Sequence, residues 1–167
     1  MRDQFNRQFL IRYVMPADRA EWLRMRLALW PDSTEQDEAM EVDCFLAGYP
    51  SPTLMAAYVC ERSEGGLVGL VEVSIKESAP GCTTDRIGYL EAWFVDEEWR
   101  GRGVGRALAE RAEAWARSAG CLEMASDTTP FYPLSPAAHA AAGYVEVERY
   151  FRKALVDEMP GEDRVAG

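Results

Sequence analysis

The sequence is poor in the residues that bind transition metals. It has one histidine, His139, and four cysteines at positions 44, 60, 82 and 121. The cysteines form no C-x-x-C pair, so the spacing common in zinc sites is missing and we expect no metal. Isolated cysteines in a chain without a secretion signal are typical of reduced thiols in the cytoplasm.

Long hydrophobic runs are also missing. No apolar stretch approaches the roughly 18 residues of a membrane-spanning helix, and the N-terminal residues lead into no stretch of signal-peptide length. We therefore expect a cytoplasmic protein without a membrane partner. A length of 167 residues indicates one domain, which we place at residues 1–156. Residues 157–167, which include Pro160 and Gly161, are expected to form a flexible tail.

Positive charge is scarce, with 18 Lys and Arg residues against 28 Asp and Glu, a net charge of −10. An acidic field disfavours nucleic acid and attracts small cations; acidity that serves only solubility is an equal alternative. Basic residues nevertheless cluster at Arg100, Arg102, Arg106 and Arg111. This asymmetry suggests one anionic ligand at the cluster and one cationic ligand elsewhere.

The apolar periodicity predicts an α/β domain in the order βαα-βββ-α-β-α-β. The predicted helices begin near residues 16, 34, 105 and 135 and end near residues 30, 48, 120 and 143. The predicted strands occupy residues 10–14, 53–60, 67–75, 87–95, 121–126 and 144–152.

The most informative stretch is R-G-R-G-V-G, residues 100–105, which joins the strand at 87–95 to a helix. Glycines allow a tight turn and close approach of a ligand, and the first turn of a helix offers free N–H groups and partial positive charge. Together they favour a phosphate or pyrophosphate site. A tight turn without a ligand is the simpler alternative. The spacing fits neither a P-loop nor a Rossmann fingerprint.

Arg100-x-x-Gly103-x-Gly105 after an apolar strand resembles the acyl-CoA motif of the Gcn5-related N-acetyltransferases. The resemblance implies one domain with a mixed central sheet flanked by helices, and acetyl-CoA as acetyl donor. It also implies that the backbone at Trp93, Phe94 and Val95 pairs with the pantetheine arm and polarises the thioester carbonyl. The residues implied to hold the pyrophosphate are Arg100, Gly101, Arg102, Gly103, Val104, Gly105 and Arg106.

Further blocks resemble the aminoglycoside 6′-N-acetyltransferases. They are Ala-Leu-Trp-Pro at 28–31, Leu-Glu at 90–91, Ala-Ser-Asp-Thr at 125–128 and the segment 139–153. This resemblance implies direct transfer of acetyl to the 6′-amine of an aminoglycoside in a ternary complex, with antibiotic resistance as the consequence. It also implies a homodimer, although the sequence shows no interface.

The resemblance and the strand pattern together select the residues of the acceptor site. Glu91 is expected to bind the acceptor amine and to act as its base, and Asp127 to bind ammonium groups. Glu72, a carboxylate within an apolar strand, is a candidate proton relay. Each has a simpler reading as a solvent-facing or turn residue.

Three more residues complete the set of candidates. Glu148 matches an acid that contacts substrate in the relatives, and Trp30 matches an aromatic that could pack on a sugar ring. His139 stands where many members of the family have the tyrosine that protonates the leaving thiolate, but a lone histidine is more often a structural hydrogen-bonding group.

Two other functions stay open at this point. The same fold could acetylate a polyamine or another amine, and the domain could bind acyl-CoA without catalysis.

Overall fold

The structure is a computed structural model that describes residues 8–155, so the predicted tail at 157–167 lies outside the described residues. The strands are β1 (Phe9–Tyr13), β2 (Ala56–Arg62), β3 (Leu67–Lys76), β4 (Ile87–Val95) and β5 (Glu123–Ser126). The helices are α1 (Arg19–Leu29), α2 (Glu35–Leu46), α3 (Val104–Ser118) and α4 (Ser135–Ala141), with 3₁₀ turns at Pro16–Asp18 and Glu97–Trp99.

The strands form one sheet in the order β1-β2-β3-β4-β5. Neighbouring strands are antiparallel except β4 and β5, which are parallel. A parallel pair needs a crossover connection, and α3 supplies it. The predicted mixed sheet flanked by helices is therefore confirmed.

Helices cover both faces of the sheet because its central strands are apolar on both faces. In β2, Ala56, Tyr58 and Cys60 face α3, whereas Ala57 and Val59 face α1 and α2. The apolar stripe of α3 that faces the sheet consists of Val104, Leu108 and Ala112, all buried. Trp22 and Met25 of α1 and Val42 of α2 fill the opposite layer.

Two irregularities of β4 open the sheet at one end. Glu72 is opposite Ala92 and Val73 is opposite Leu90, so Glu91 is an extra residue without a partner on β3. Such a bulge redirects a side chain and bends the strand. On its other side β4 pairs with β5 only over Ile87–Leu90. No other strand of residues 8–155 pairs with the edge of β4 beyond Leu90 on that side.

The predicted last strand, residues 144–152, is wrong for this structure, because the chain after α4 has no strand from residue 144 to residue 155. Its alternating pattern favours a strand, but β-propensity is realised only when a neighbouring edge supplies the ladder. Here the segment lies against the loop before β4 instead, with Val147 packed on Gly81. Its apolar side chains stay largely exposed: Val145, Val147, Tyr150, Phe151 and Leu155.

Candidate active site

The glycine loop is built as an anion cradle. Gly101 and Gly103 have φ values of 72° and 84°, a conformation that side-chain-bearing residues rarely adopt. Gly103 caps α3, and the first bond within the helix runs from the Ala107 N–H to the Gly103 carbonyl. The N–H groups of residues 104–106 therefore precede the helical hydrogen-bonding pattern and face the loop.

Arginines surround this cradle. Arg100 donates to the Val95 carbonyl at 3.1 Å, Arg102 lies over the Trp99 ring at 5.1 Å, and Arg106 pairs with Glu110 on the exposed side of α3. All three guanidinium groups remain on the surface. Positive charge, free N–H groups and left-handed glycines at one point fit a pyrophosphate.

The cradle is joined to the open edge of β4 by Trp93, whose indole N–H donates to the Gly105 carbonyl at 3.0 Å. Trp93 and Val95 pack towards α3, and Phe94 packs on the opposite layer. Their side chains anchor the strand on both faces, while its free backbone edge faces the gap beside β5. This edge suits an extended amide-bearing chain such as pantetheine.

A cavity of about 730 Å³ opens beside this edge. Five carboxylates and one guanidinium line it, namely Asp32, Glu38, Glu41, Glu91, Asp127 and Arg26. Trp30, Trp93, Phe131 and Tyr132 supply aromatic walls. The structure thus brings Trp30, Glu91 and Asp127 together, as the sequence predicts.

The two carboxylates on the sheet side of the cavity are held by neighbours on β3 and β4. Glu91 accepts from the Ser74 hydroxyl at 2.5 Å and contacts the Lys76 ammonium at 3.1 Å. Asp127 accepts from the Tyr89 hydroxyl at 2.7 Å. Burial and the bond to Asp127 raise the pKa of Tyr89, so this phenol stays protonated and donates to Asp127.

Glu72 does not line the cavity; it is 1% exposed beneath it. It accepts from Trp22 at 2.6 Å and from Arg26 at 2.8 and 2.9 Å. Burial raises the pKa of Glu72, and the charge of Arg26 and the hydrogen bond from Trp22 oppose that rise. Arg26 separates Glu72 from the cavity, and a guanidinium does not release its protons. The role of Glu72 as a proton relay therefore stays a prediction.

Arg26 is the residue of this region that the sequence analysis missed. It is 3% exposed, donates to Glu38 at 2.5 Å and to Glu41, and lies 4.9 Å from the centre of the Trp30 ring. The signal was present: Trp22, Arg26 and Trp30 recur every four residues, which places the arginine on the apolar stripe of α1.

His139 lines the cavity as a structural group. Nδ1 lies 2.8 Å from the Ser135 carbonyl, which can only accept, so Nδ1 carries the proton. Nε2 lies 2.8 Å from the Ser126 hydroxyl oxygen. The ring packs edge-on against Trp93 and Tyr144. These contacts link α4 to β5.

Glu148 is not brought to the cavity. It lies in the exposed segment after α4 and accepts from the Tyr150 hydroxyl at 2.8 Å. Its role in binding substrate stays a prediction.

Three other features of residues 8–155 bear on the expectations. No group of three or more His, Cys, Asp and Glu side chains in this range is arranged to hold a metal ion. No helix in it has the length and apolar character that crossing a membrane requires. The four cysteines are free thiols.

The glycine cradle at the N-terminus of α3 and the parted strands β4 and β5 define an acyl-CoA-dependent transferase fold. The model of the acetyltransferase (GNAT) family matches residues 19–144, and the chain belongs to this family.

Within the family, the relatives are aminoglycoside N(6′)-acetyltransferases of type 1. The enzyme of Klebsiella aerogenes is 42% identical over 151 residues, which cover 87% of this chain and 97% of the relative. The enzyme of Stenotrophomonas maltophilia is 40% identical over 148 residues, with 87% and 93% covered.

Solved structures agree with these relatives. Aminoglycoside N-acetyltransferase AAC(6′)-Iy in complex with CoA superimposes with a TM-score of 0.77 at 28% identity, covering 90% of this chain and 98% of that one. The same enzyme with the bisubstrate analogue CoA-S-monomethyl-acetylneamine gives a TM-score of 0.76 at 29% identity, with 89% and 99% covered.

Proposed function

We propose that the protein transfers the acetyl group of acetyl-CoA to the 6′-amine of an aminoglycoside, by direct attack in a ternary complex. The observation that carries the proposal is the cavity in which five carboxylates face one guanidinium at the open edge of β4. The identity to aminoglycoside N(6′)-acetyltransferases over most of the chain supports the same acceptor. Antibiotic resistance would be the consequence.

The charge of the cavity selects the acceptor class. Arg26 contacts Glu38, Glu41 and Glu72, so one positive charge cannot balance the three. Asp32 and Asp127 add to the excess of negative charge in and under the cavity. A polycationic ligand would be drawn in and oriented, and Trp30 and Phe131 offer flat surfaces to sugar rings.

Acetyl-CoA supplies the acetyl group as an activated thioester. On the protein side, Gly101 to Arg106 would hold the pyrophosphate by backbone N–H groups, with Arg100 and Arg102 adding positive charge. The backbone of Trp93 to Val95 would bind the pantetheine arm and place a donor near the thioester oxygen. The acyl end then meets the cavity at Trp93, which lines it.

Glu91 and Asp127 would act on the acceptor. An ammonium group must lose a proton before it can attack, and Glu91 can receive that proton directly or through a water molecule. Asp127, oriented by Tyr89, would fix another ammonium group of the same molecule. Holding the amine next to the thioester makes the reaction effectively intramolecular.

The test is release of CoA thiol from acetyl-CoA with kanamycin, tobramycin and gentamicin, with spermidine as a second amine. We expect turnover of the aminoglycosides and its loss in Glu91→Gln and Asp127→Asn. Turnover of spermidine alone would reject the antibiotic and keep the transferase. Binding of acetyl-CoA without turnover of any amine would reject catalysis.

We further infer that the protein works in the cytoplasm, where acetyl-CoA is made, as a homodimer. Five apolar side chains after α4 are exposed, and within residues 8–155 the outer edge of β5 has no strand beside it. A second copy would cover both. Light scattering after gel filtration should give twice the monomer mass, and Phe151→Glu should lower it; a wild-type monomer would contradict the dimer.

A further inference from the structure

Lys76, the last residue of β3, is a cation placed against the acceptor site. Its ammonium lies 3.1 Å from Oε1 of Glu91 and 3.2 Å from the centre of the Tyr89 ring. The lysine side chain is 34% exposed and Glu91 is 16% exposed. Glu91 lines the cavity and Lys76 does not, so the ammonium approaches this carboxylate from outside the cavity.

This arrangement is unusual for a site that binds cations. A carboxylate that must attract an ammonium group would bind it most tightly without a competing positive charge. Tight binding alone is no advantage for the reaction, since stabilising the ammonium form opposes its deprotonation. A cation of the protein beside the carboxylate weakens this stabilisation of the ammonium form and so favours deprotonation of the acceptor amine.

We propose that Lys76 is a positioning residue for acetyl transfer, which neutralises Glu91 so that the acceptor amine held by this carboxylate can lose its proton. The inference rests on the proposed function and deepens it. The bond that forms is between the amine nitrogen and the acetyl carbon. One proton leaves the ammonium towards Glu91 or water before the attack, and a second leaves the nitrogen after it. The thiolate leaves with the electron pair of the broken C–S bond and takes up a proton from solvent.

The neighbours of Lys76 support this role. Ser74 donates to the same Oε1 of Glu91, so the carboxylate is held by a hydroxyl and an ammonium from one strand. The ring of Tyr89 contacts the Lys76 ammonium, and the hydroxyl of Tyr89 donates a hydrogen bond to Asp127. Lys76 therefore contacts Glu91 directly and also contacts Tyr89, the residue that orients Asp127.

The other charged groups around the pair would keep their effect when Lys76 is changed. Asp127 follows β5, and the Tyr150 hydroxyl of the segment after α4 adds to the rise in the pKa of Tyr89. The guanidinium of Arg26 faces the cavity with Glu38 and Glu41. None of them is a second cation in contact with Glu91, within residues 8–155.

The test compares Lys76→Met with Lys76→Arg, which keeps the charge. At neutral pH we expect Lys76→Met to lower both kcat and KM for kanamycin by about 3- to 10-fold, because the ammonium form binds more tightly and reacts less. The rise of kcat with pH should move up by about half to one unit. This is less than the one to three units of a close charge, because Lys76 is partly exposed. Lys76→Arg should keep kcat, KM and the pH profile of the wild type.

Arg19→Met is the matched control. It removes one positive charge from an exposed pair with Asp43 on α1 and α2, so it reproduces the change in net charge away from Glu91. We expect kcat and its pH profile to stay unchanged in this variant. A shift equal to that of Lys76→Met would assign the effect to net charge and overturn the inference.

A binding measurement separates this inference from the proposed function. Calorimetry of kanamycin with the enzyme–CoA complex, in two buffers of different ionisation enthalpy, counts the protons released on binding. We expect fewer protons released by Lys76→Met than by the wild type. Equal release, or kcat and KM that do not fall together, would overturn the role of Lys76. A wild type that acetylates no aminoglycoside would instead contradict the function, and one that binds none would overturn both.

Discussion

Replacing Arg26 by methionine should destabilise the fold more than replacing Glu72 by glutamine, although the two side chains form one ion pair. Among residues 8–155, Arg26 is the single cation in contact with Glu38, Glu41 and Glu72. Its removal leaves Glu72, which is 1% exposed, with no counter-ion in contact. Removal of one partner of a buried pair costs about 3–5 kcal/mol.

Glu72→Gln, in contrast, leaves no buried charge without a partner. Arg26 keeps Glu38 and Glu41, and the amide oxygen can still accept from Trp22 or Arg26. Burial already disfavours the charged form of Glu72, and its pKa is raised accordingly. The loss is then that of weakened charge-assisted hydrogen bonds, about 1–2 kcal/mol.

Thermal unfolding followed by circular dichroism measures the difference. At about 2–4 °C per kcal/mol for a chain of this size, Tm should fall by about 6–20 °C in Arg26→Met and about 2–8 °C in Glu72→Gln. Arg19→Met, which breaks an exposed pair, should leave Tm almost unchanged. Equal losses in the two buried variants, or a larger loss for Glu72→Gln, would refute this reasoning.

Three further predictions concern the cradle, the acceptor site and acid stability. Gly103→Ala forces a side-chain-bearing residue to φ 84°, so it should cost about 1–2 kcal/mol of stability and raise KM for acetyl-CoA, but not for kanamycin, in steady-state assays. Tyr89→Phe removes the hydrogen bond to Asp127 and should raise KM for kanamycin about 2- to 10-fold, with KM for acetyl-CoA unchanged. The bond from Arg12 holds the pKa of Asp18 below its ordinary value, so its contribution to stability is complete above about pH 4 and is lost as pH falls through the native pKa; Asp18→Asn should flatten the acid side of a plot of unfolding free energy against pH.

The donor side of the site was predictable because its signals are local. Gly101, Gly103 and the start of the following helix lie within a few residues of one another. The positive φ values of the two glycines are typical of this residue type, so the sequence indicates the turn directly. The strand before them is equally local, and its observed bounds, Ile87–Val95, are the predicted ones.

The acceptor side was predictable only in part, because its geometry depends on pairing between distant strands. Strict alternation in β4 cannot reveal that Glu91 is a bulged residue, since the bulge follows from the register with β3. The pair of Lys76 with Glu91 and the ion pair of Arg26 with Glu72 arise in the same way.

The prediction of a last strand was wrong for a related reason. Residues 144–152 have the composition and alternation of a strand, but these properties describe a segment that can pair and not the edge that would accept it. Within residues 8–155 the segment is paired with no strand of the sheet.

The most direct test of the central claim is to compare neomycin with paromomycin, which carry an amine and a hydroxyl, respectively, at the 6′ carbon. We expect thiol release with neomycin, a product that carries one new acetyl group on the 6′ nitrogen by NMR, and no turnover of paromomycin. Equal turnover of the two antibiotics, or acetyl on another amine of neomycin, would contradict it.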